Sequence, residues 1–162
     1  MNETTQQPRA GQTVRAARVV PATPAVAYQA CTDAASMPTW WGHTENATLY
    51  LCEADVRVGG HYRYGIRSAS GKEEMVGGSF LEVYPGSRLV FTWSDTVAGK
   101  DAAKDAAELV HESRVTLDLH DLKDGTTRVV ITHQGLPAAE ANRYNAGWHD
   151  LIQDLTLHLA NQ

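Results

Sequence analysis

The sequence predicts an α+β fold: a curved antiparallel sheet of about six to seven strands around a long C-terminal helix, with two short helices after the first strand. Three observations predict it. From about residue 46 the chain becomes a series of short β-branched and aromatic runs separated by glycine, proline and aspartate at hairpin intervals. After Pro137, the residues Tyr144, Trp148, Leu151, Ile152, Leu155 and Leu159 fall at helical spacing and make one wide apolar stripe. Between the first strand and the meander, the texture is that of capped helix starts with small residues, and no parallel crossover or dinucleotide fingerprint interrupts the order.

A chain of 162 residues, 43% of them hydrophobic, is long enough for one substantial core, so one domain is expected over residues 13–162. Residues 1–12 are polar, carry Pro8 and Gly11, and are expected to form a disordered leader. "TVRAARVV", residues 13–20, is the first strand. Thr23 then caps free amides and Pro24 suits the first position of a helix, on which Ala27, Ala30, Cys31 and Ala34 form a face of small residues. Ser36 is expected to cap a second short helix that carries Trp40 and Trp41.

The remaining strands are expected at 46–52, 60–67, 73–84, 88–95, 112–121 and 127–134. "KDGT" is a hairpin signal because Asp124 and Gly125 tolerate positive φ. In "RVTLDLH", Val115, Leu117 and Leu119 alternate with Arg114, Thr116, Asp118 and His120, and Thr127, Val129, Ile131 and His133 share one side of the next strand. One face is buried and the other is wet. Residues 95–112, "DTVAGKDAAKDAAELVHE", are long for a hairpin connection and favour a marginal helix, read either as a lid over a cavity or as a solvated excursion.

The helical stripe must lie on the sheet, because six large apolar side chains at roughly 1.5–3 kcal/mol each would otherwise forfeit about the net stability of a domain. A cylinder about 10 Å wide cannot fit flush against a broad twisted sheet, so a hollow is expected beneath it.

Composition excludes several functions. Fourteen basic against nineteen acidic residues give a net charge of -5 without a basic block, which argues against nucleic acid and anionic membrane as partners. No apolar run approaches the ~20 residues that cross a bilayer, and a cytoplasmic location is expected. Cys31 and Cys52 have no CxxC spacing and read as small buried thiols. None of the seven histidines makes a metal-binding spacing, so no metal is expected. No nucleophile elbow, phosphate-binding loop or cofactor fingerprint occurs, which leaves nucleophilic catalysis without support and no cofactor expected.

The runs "PAVAYQACTDAASMPTWW", "DVRVGGHYRY", "GSFLEVYPGSRLVFTW", "GTTRVVITHQGL" and "GWHDLIQDL" closely resemble the bacterial homologues of the activator of the ninety-kilodalton heat-shock ATPase, within the START-like (SRPBCC) superfamily. The resemblance covers roughly residues 13–160. It implies a helix-grip fold, a sheet gripping the C-terminal helix around a hydrophobic cavity. It does not imply one activity, since such members include lipid and hormone carriers, cyclases and stress-response proteins.

Candidate site residues follow from the expected hollow. Trp40 and Trp41 are adjacent, so one indole is expected in the core and the other facing the cavity. Tyr62 and Tyr64 share one strand face and suit a cavity wall with a polar end; Phe91 and Trp93 share another. Tyr144 and Trp148 lie on the helical stripe. His133 has buried-side parity, and reads either as a hydrogen-bonded core histidine or as the polar group of the pocket. His43 and Glu45 read as a solvated loop or as an acid and base at the mouth, and Asp55 with Arg57 as a structural ion pair. Gly147, inside the helix at a cost of about 1 kcal/mol, implies that something approaches closely there, either a strand or the first helix packing on it or a ligand. Three functions remain, in this order: a protein binding a small apolar or aromatic molecule, a cavity enzyme using histidine or carboxylate, and a chaperone-cofactor interaction module. A homodimer through an edge strand or the helix is left open.

Overall fold

A computed structural model of the chain describes residues 11–97 and 112–162. The strands are β1 (Gln12–Val20), β2 (Thr48–Ala54), β3 (His61–Arg67), β4 (Glu73–Tyr84), β5 (Arg88–Val97), β6 (Ser113–Asp121) and β7 (Thr127–Leu136). They form a seven-stranded sheet in the order β1-β7-β6-β5-β4-β3-β2, antiparallel at every step. Strands β2 to β7 are thus a meander, and β1 closes it by pairing with the last strand. The helices are α1 (Pro24–Thr32), a single 3-10 turn (Met37–Thr39) and the long α2 (Ala138–Ala160). This is the helix-grip arrangement.

Local chemistry explains the boundaries. The Thr23 side chain accepts a hydrogen bond from the Val26 amide at 3.4 Å, ahead of Pro24 at the first helical turn. The second short helix is only the 3-10 turn, with Trp40 at its end and Trp41 beyond it. Ser36 makes no cap bond because its own backbone is already helical, φ -85 and ψ -39, so its hydroxyl is not aimed forward at the following amides. In the hairpin between β6 and β7, Lys123 and Gly125 take positive φ, not Asp124, whose carboxylate instead accepts from the Thr126 amide at 3.0 Å. Asp55 and Arg57 do pair, at 2.8 Å.

Of the expected leader, Gly11 and Gln12 are described and Gln12 already belongs to β1; residues 1–10 lie outside the described residues. Residues 98–111 of the expected lid or excursion also lie outside them, while residues 95–97 continue β5. Among the described residues no helix is long and apolar enough to cross a membrane.

Helix α2 packs chiefly along β1 and more lightly on β7. Its buried face is Tyr144, Trp148, Ile152, Asp154, Leu155 and Leu159, with Leu151 half-buried. Val115, Leu117, Leu119, Val129 and Ile131 enter the same hydrophobic core from the sheet, as the alternation requires. The β3–β5 half of the concave face is filled by rings instead: Tyr62 lies 4.8 Å from Tyr64, 5.5 Å from Phe80 and 5.3 Å from Phe91, centroid to centroid. The off-centre helix leaves the space that becomes the site.

An aromatic cavity beneath the long helix

One wall of this space is a face of α2 bearing Arg143, Tyr144, Gly147, Trp148 and Leu151. The facing wall comes from the sheet, with Leu49, Ile66, Val76 and Trp93, and Trp41, Gly42 and Glu45 close one end. This space is open at its mouth and has a volume of about 170 Å³. A second hollow of about 70 Å³ lies deeper, bordered by Cys31, Met37, Trp40, Tyr64, Phe91 and Leu117. Trp41, Trp93, Trp148 and Leu151 border both and divide them. An apolar cavity of about 150 Å³ takes up benzene, so the outer space is sized for one six-membered ring.

The nine candidate residues are therefore sorted by geometry. Trp41, Trp93, Trp148 and Tyr144 border the outer cavity; Trp40, Tyr64 and Phe91 border the inner one. Trp40 is buried, its indole N–H donating to the Ala30 carbonyl at 3.3 Å, whereas Trp41 is half-buried. Tyr62 and His133 border neither hollow. Tyr62 stands behind the wall and donates its hydroxyl to the Thr92 carbonyl at 2.5 Å, and burial pushes its pKa up.

His133 is a fully buried link between sheet and helix. The Trp148 indole N–H points at its Nδ1 at 3.0 Å, and its Nε2 lies 2.6 Å from Ser113 Oγ. An indole nitrogen only donates, so Nδ1 accepts and the ring proton sits on Nε2, which donates to Ser113. Ser113 in turn donates to the Trp93 carbonyl at 3.2 Å. The serine–histidine contact is therefore no nucleophile–base pair: the imidazole nitrogen facing the hydroxyl already carries its proton.

A second polar chain sits at the mouth. Trp93 Nε1 donates to the Tyr144 hydroxyl at 3.0 Å, and that hydroxyl donates to Asp95 at 2.5 Å. Burial raises the Tyr144 pKa first, and the bond to Asp95 and its charge raise it further. Arg143 lies 4.5 Å over the Tyr144 ring and faces Asp95 at 3.5 Å, Glu74 at 3.9 Å and Glu140 at 2.5 Å. Also lining this space, Glu45 is pushed up to about 7, by desolvation first and then by its hydrogen bond with Asp150 and the charges of Asp150, Asp154 and Glu74. Asp154, buried on α2, accepts from the Gly42 amide at 3.0 Å and from the Thr44 amide at 2.9 Å, which ties the Trp41–Glu45 turn to the helix.

Sequence reading missed Glu74, Asp95, Arg143 and Asp154. The signals were parity and interruption: Asp95 follows Trp93 by two along a strand, and Asp154 stands three after Leu151 within the apolar stripe. His43 does not border the cavity, though Glu45 does. For Gly147 the packing alternative fails: apart from its chain neighbours and its own helix backbone, no atom lies within 4 Å of where its Cβ would stand, so no strand or first helix packs on it, and the position borders the open volume. The two thiols are half-buried rather than fully buried, and burial pushes Cys31 up to about 12. Among the described residues no three His, Cys, Asp or Glu side chains come together as a metal site.

The family model described as Activator of Hsp90 ATPase homolog 1-like protein matches residues 21–160. Among solved structures, protein CV1439 of Chromobacterium violaceum is similar at 28% identity and a TM-score of 0.71, over 91% of this chain and 96% of that one. PFC0360w, an HSP90 activator from Plasmodium falciparum, is similar at 21% identity and a TM-score of 0.66, over 93% and 97% respectively. A protein of Rhizobium leguminosarum reaches a TM-score of 0.75 at 17% identity, over 93% and 95%. No curated protein matches the chain.

Proposed function

This chain belongs to the Activator of Hsp90 ATPase homolog 1-like family, and we propose that it is a small-molecule-binding protein that holds an apolar or aromatic guest between the sheet and α2. One observation carries the reading: three indoles, Trp41, Trp93 and Trp148, surround an outer space of about 170 Å³. Burying a ring of ~150 Å² at ~25 cal/mol per Å² contributes roughly 4 kcal/mol gross, and ordering the guest offsets part of it. A bare ring therefore binds weakly, and useful affinity needs a polar group at the mouth.

The enzyme reading loses its histidine, because His133 borders neither hollow and is bonded to Trp148 and Ser113, and it keeps Glu45, the carboxylate pushed up to about 7 at the mouth. The chaperone-cofactor reading has a relative's name in its favour and a likeness of 21% identity, which speaks for the fold alone. The test is titration with benzyl alcohol while the indole N–H resonances are followed by NMR. The signals of Trp41, Trp93 and Trp148 should shift together and saturate. Three indole signals that stay put up to the solubility limit of the alcohol would end the binding reading.

A further inference from the structure

We propose that the guest preferred by this cavity is an organic cation, a single aromatic or alicyclic ring carrying an ammonium group, with the ring among Trp41, Trp93 and Trp148 and the ammonium at the carboxylates of the mouth. The proposal rests on the binding reading above and names the chemical class of its ligand.

Charge at the mouth is the first reason. Three carboxylates, Glu45, Glu74 and Asp95, border the outer cavity against one cation, Arg143. That guanidinium is already shared among Asp95, Glu74 and Glu140. Glu45 stands among Asp150, Asp154 and Glu74, and the ion pairs of the described residues include neither Glu45 nor Asp150. Desolvation first and then these neighbours hold the Glu45 pKa up, and a bound cation would relieve the crowding of like charge.

The lining is the second reason. Ring faces carry negative quadrupole density and attract a cation within about 6 Å, most strongly at tryptophan. The molecule contains its own example beside the cavity, where the Arg143 guanidinium carbon sits 4.5 Å over the Tyr144 ring with Asp95 alongside. A ligand ammonium entering between Glu45 and the indoles would meet the same combination of ring face and carboxylate. An anionic guest would meet the carboxylates Glu45, Glu74 and Asp95, and a neutral one would gain from the rings alone. Size then limits the guest to about one ring.

Benzylamine, protonated throughout the range used, and benzyl alcohol are nearly isosteric and differ in this charge. At about pH 8, indole-detected titration of the intact chain should give benzylamine an affinity about tenfold above that of the alcohol. The preference should grow between about pH 6 and 8, as Glu45 loses its proton while facing Asp150 and Asp154 of α2 and Glu74 of β4, with Asp95 and Arg143 also lining the space. In Glu45→Gln the ratio of the two affinities should shrink to about twofold and lose its pH dependence, with alcohol binding measured alongside to divide out any change the substitution makes to the cavity itself. Equal affinities for the two probes in the unmodified chain, or a full preference retained by E45Q, would overturn the cation assignment and leave the binding reading standing. Absence of any indole shift with either probe would overturn both.

Discussion

With Trp148 replaced by phenylalanine, His133 Nδ1 would lose its indole donor inside a wholly buried site. A lost buried partner costs about 1–3 kcal/mol, and the smaller ring adds a cavity cost, so W148F is expected to lower stability by about 2–4 kcal/mol in urea denaturation. The same geometry fixes the tautomer. Imidazole nitrogen shifts should show His133 protonated at Nε2, and a proton found on Nδ1 would refute the relay from helix to sheet. Glu45 makes a different kind of residue-scale claim. Its folded pKa is raised from the ordinary 4.5 to about 7, so in that window the folded chain keeps a proton that the unfolded chain has released. This contribution to stability is greatest below the ordinary glutamate range, declines as pH rises toward 7 and is level beyond it. Glu45→Gln should therefore gain melting temperature relative to the parent as pH increases across that interval, by a screened amount, since the side chain is exposed. A difference between the two proteins that does not change with pH would contradict it.

Between elements, Asp154 is the tie that matters most for the site. One buried carboxylate on α2 satisfies the Gly42 and Thr44 amides and the Thr44 hydroxyl, holding the turn that positions Trp41 and Glu45. Asp154→Ala should cost about 2–4 kcal/mol, more than a surface change, because two buried or half-buried amides lose a charged acceptor. Denaturant midpoints would measure it, and a loss under about 0.5 kcal/mol would mean the turn is held by something else. That tie was hidden in the sequence, because an aspartate within an apolar stripe announces burial without naming its partner 110 residues away. The strands themselves were legible to within about two residues at each end, since alternation and turn chemistry are local. Helix starts were legible only where the cap is local too: Thr23 worked as read, and Ser36 failed because its own backbone conformation, set by the neighbouring turn, decides whether a side chain can cap.

At the scale of the molecule, a hollow under α2 followed from shape alone, but its location and charge did not. They depend on α2 lying along β1, and on a register that sets Glu74 and Asp95 beside Val76 and Trp93 at one rim. Such cross-strand neighbours cannot be read from one strand at a time. Gly147 is where this global geometry makes its sharpest claim. Read locally, a helical glycine signals close packing; here the space above it is empty to 4 Å and belongs to the cavity. Gly147→Ala should then raise stability by about 0.5–1 kcal/mol, through better helix propensity and a less flexible unfolded chain, with no clash to offset the gain. Gly147→Phe should keep the fold, because its ring enters open volume rather than packed atoms, and should abolish the indole shifts caused by benzyl alcohol. Denaturation curves and the same NMR titration on both variants decide it. If alanine destabilises the chain, or if the phenylalanine variant still binds the alcohol as the parent does, then the space beneath the helix is not the pocket described.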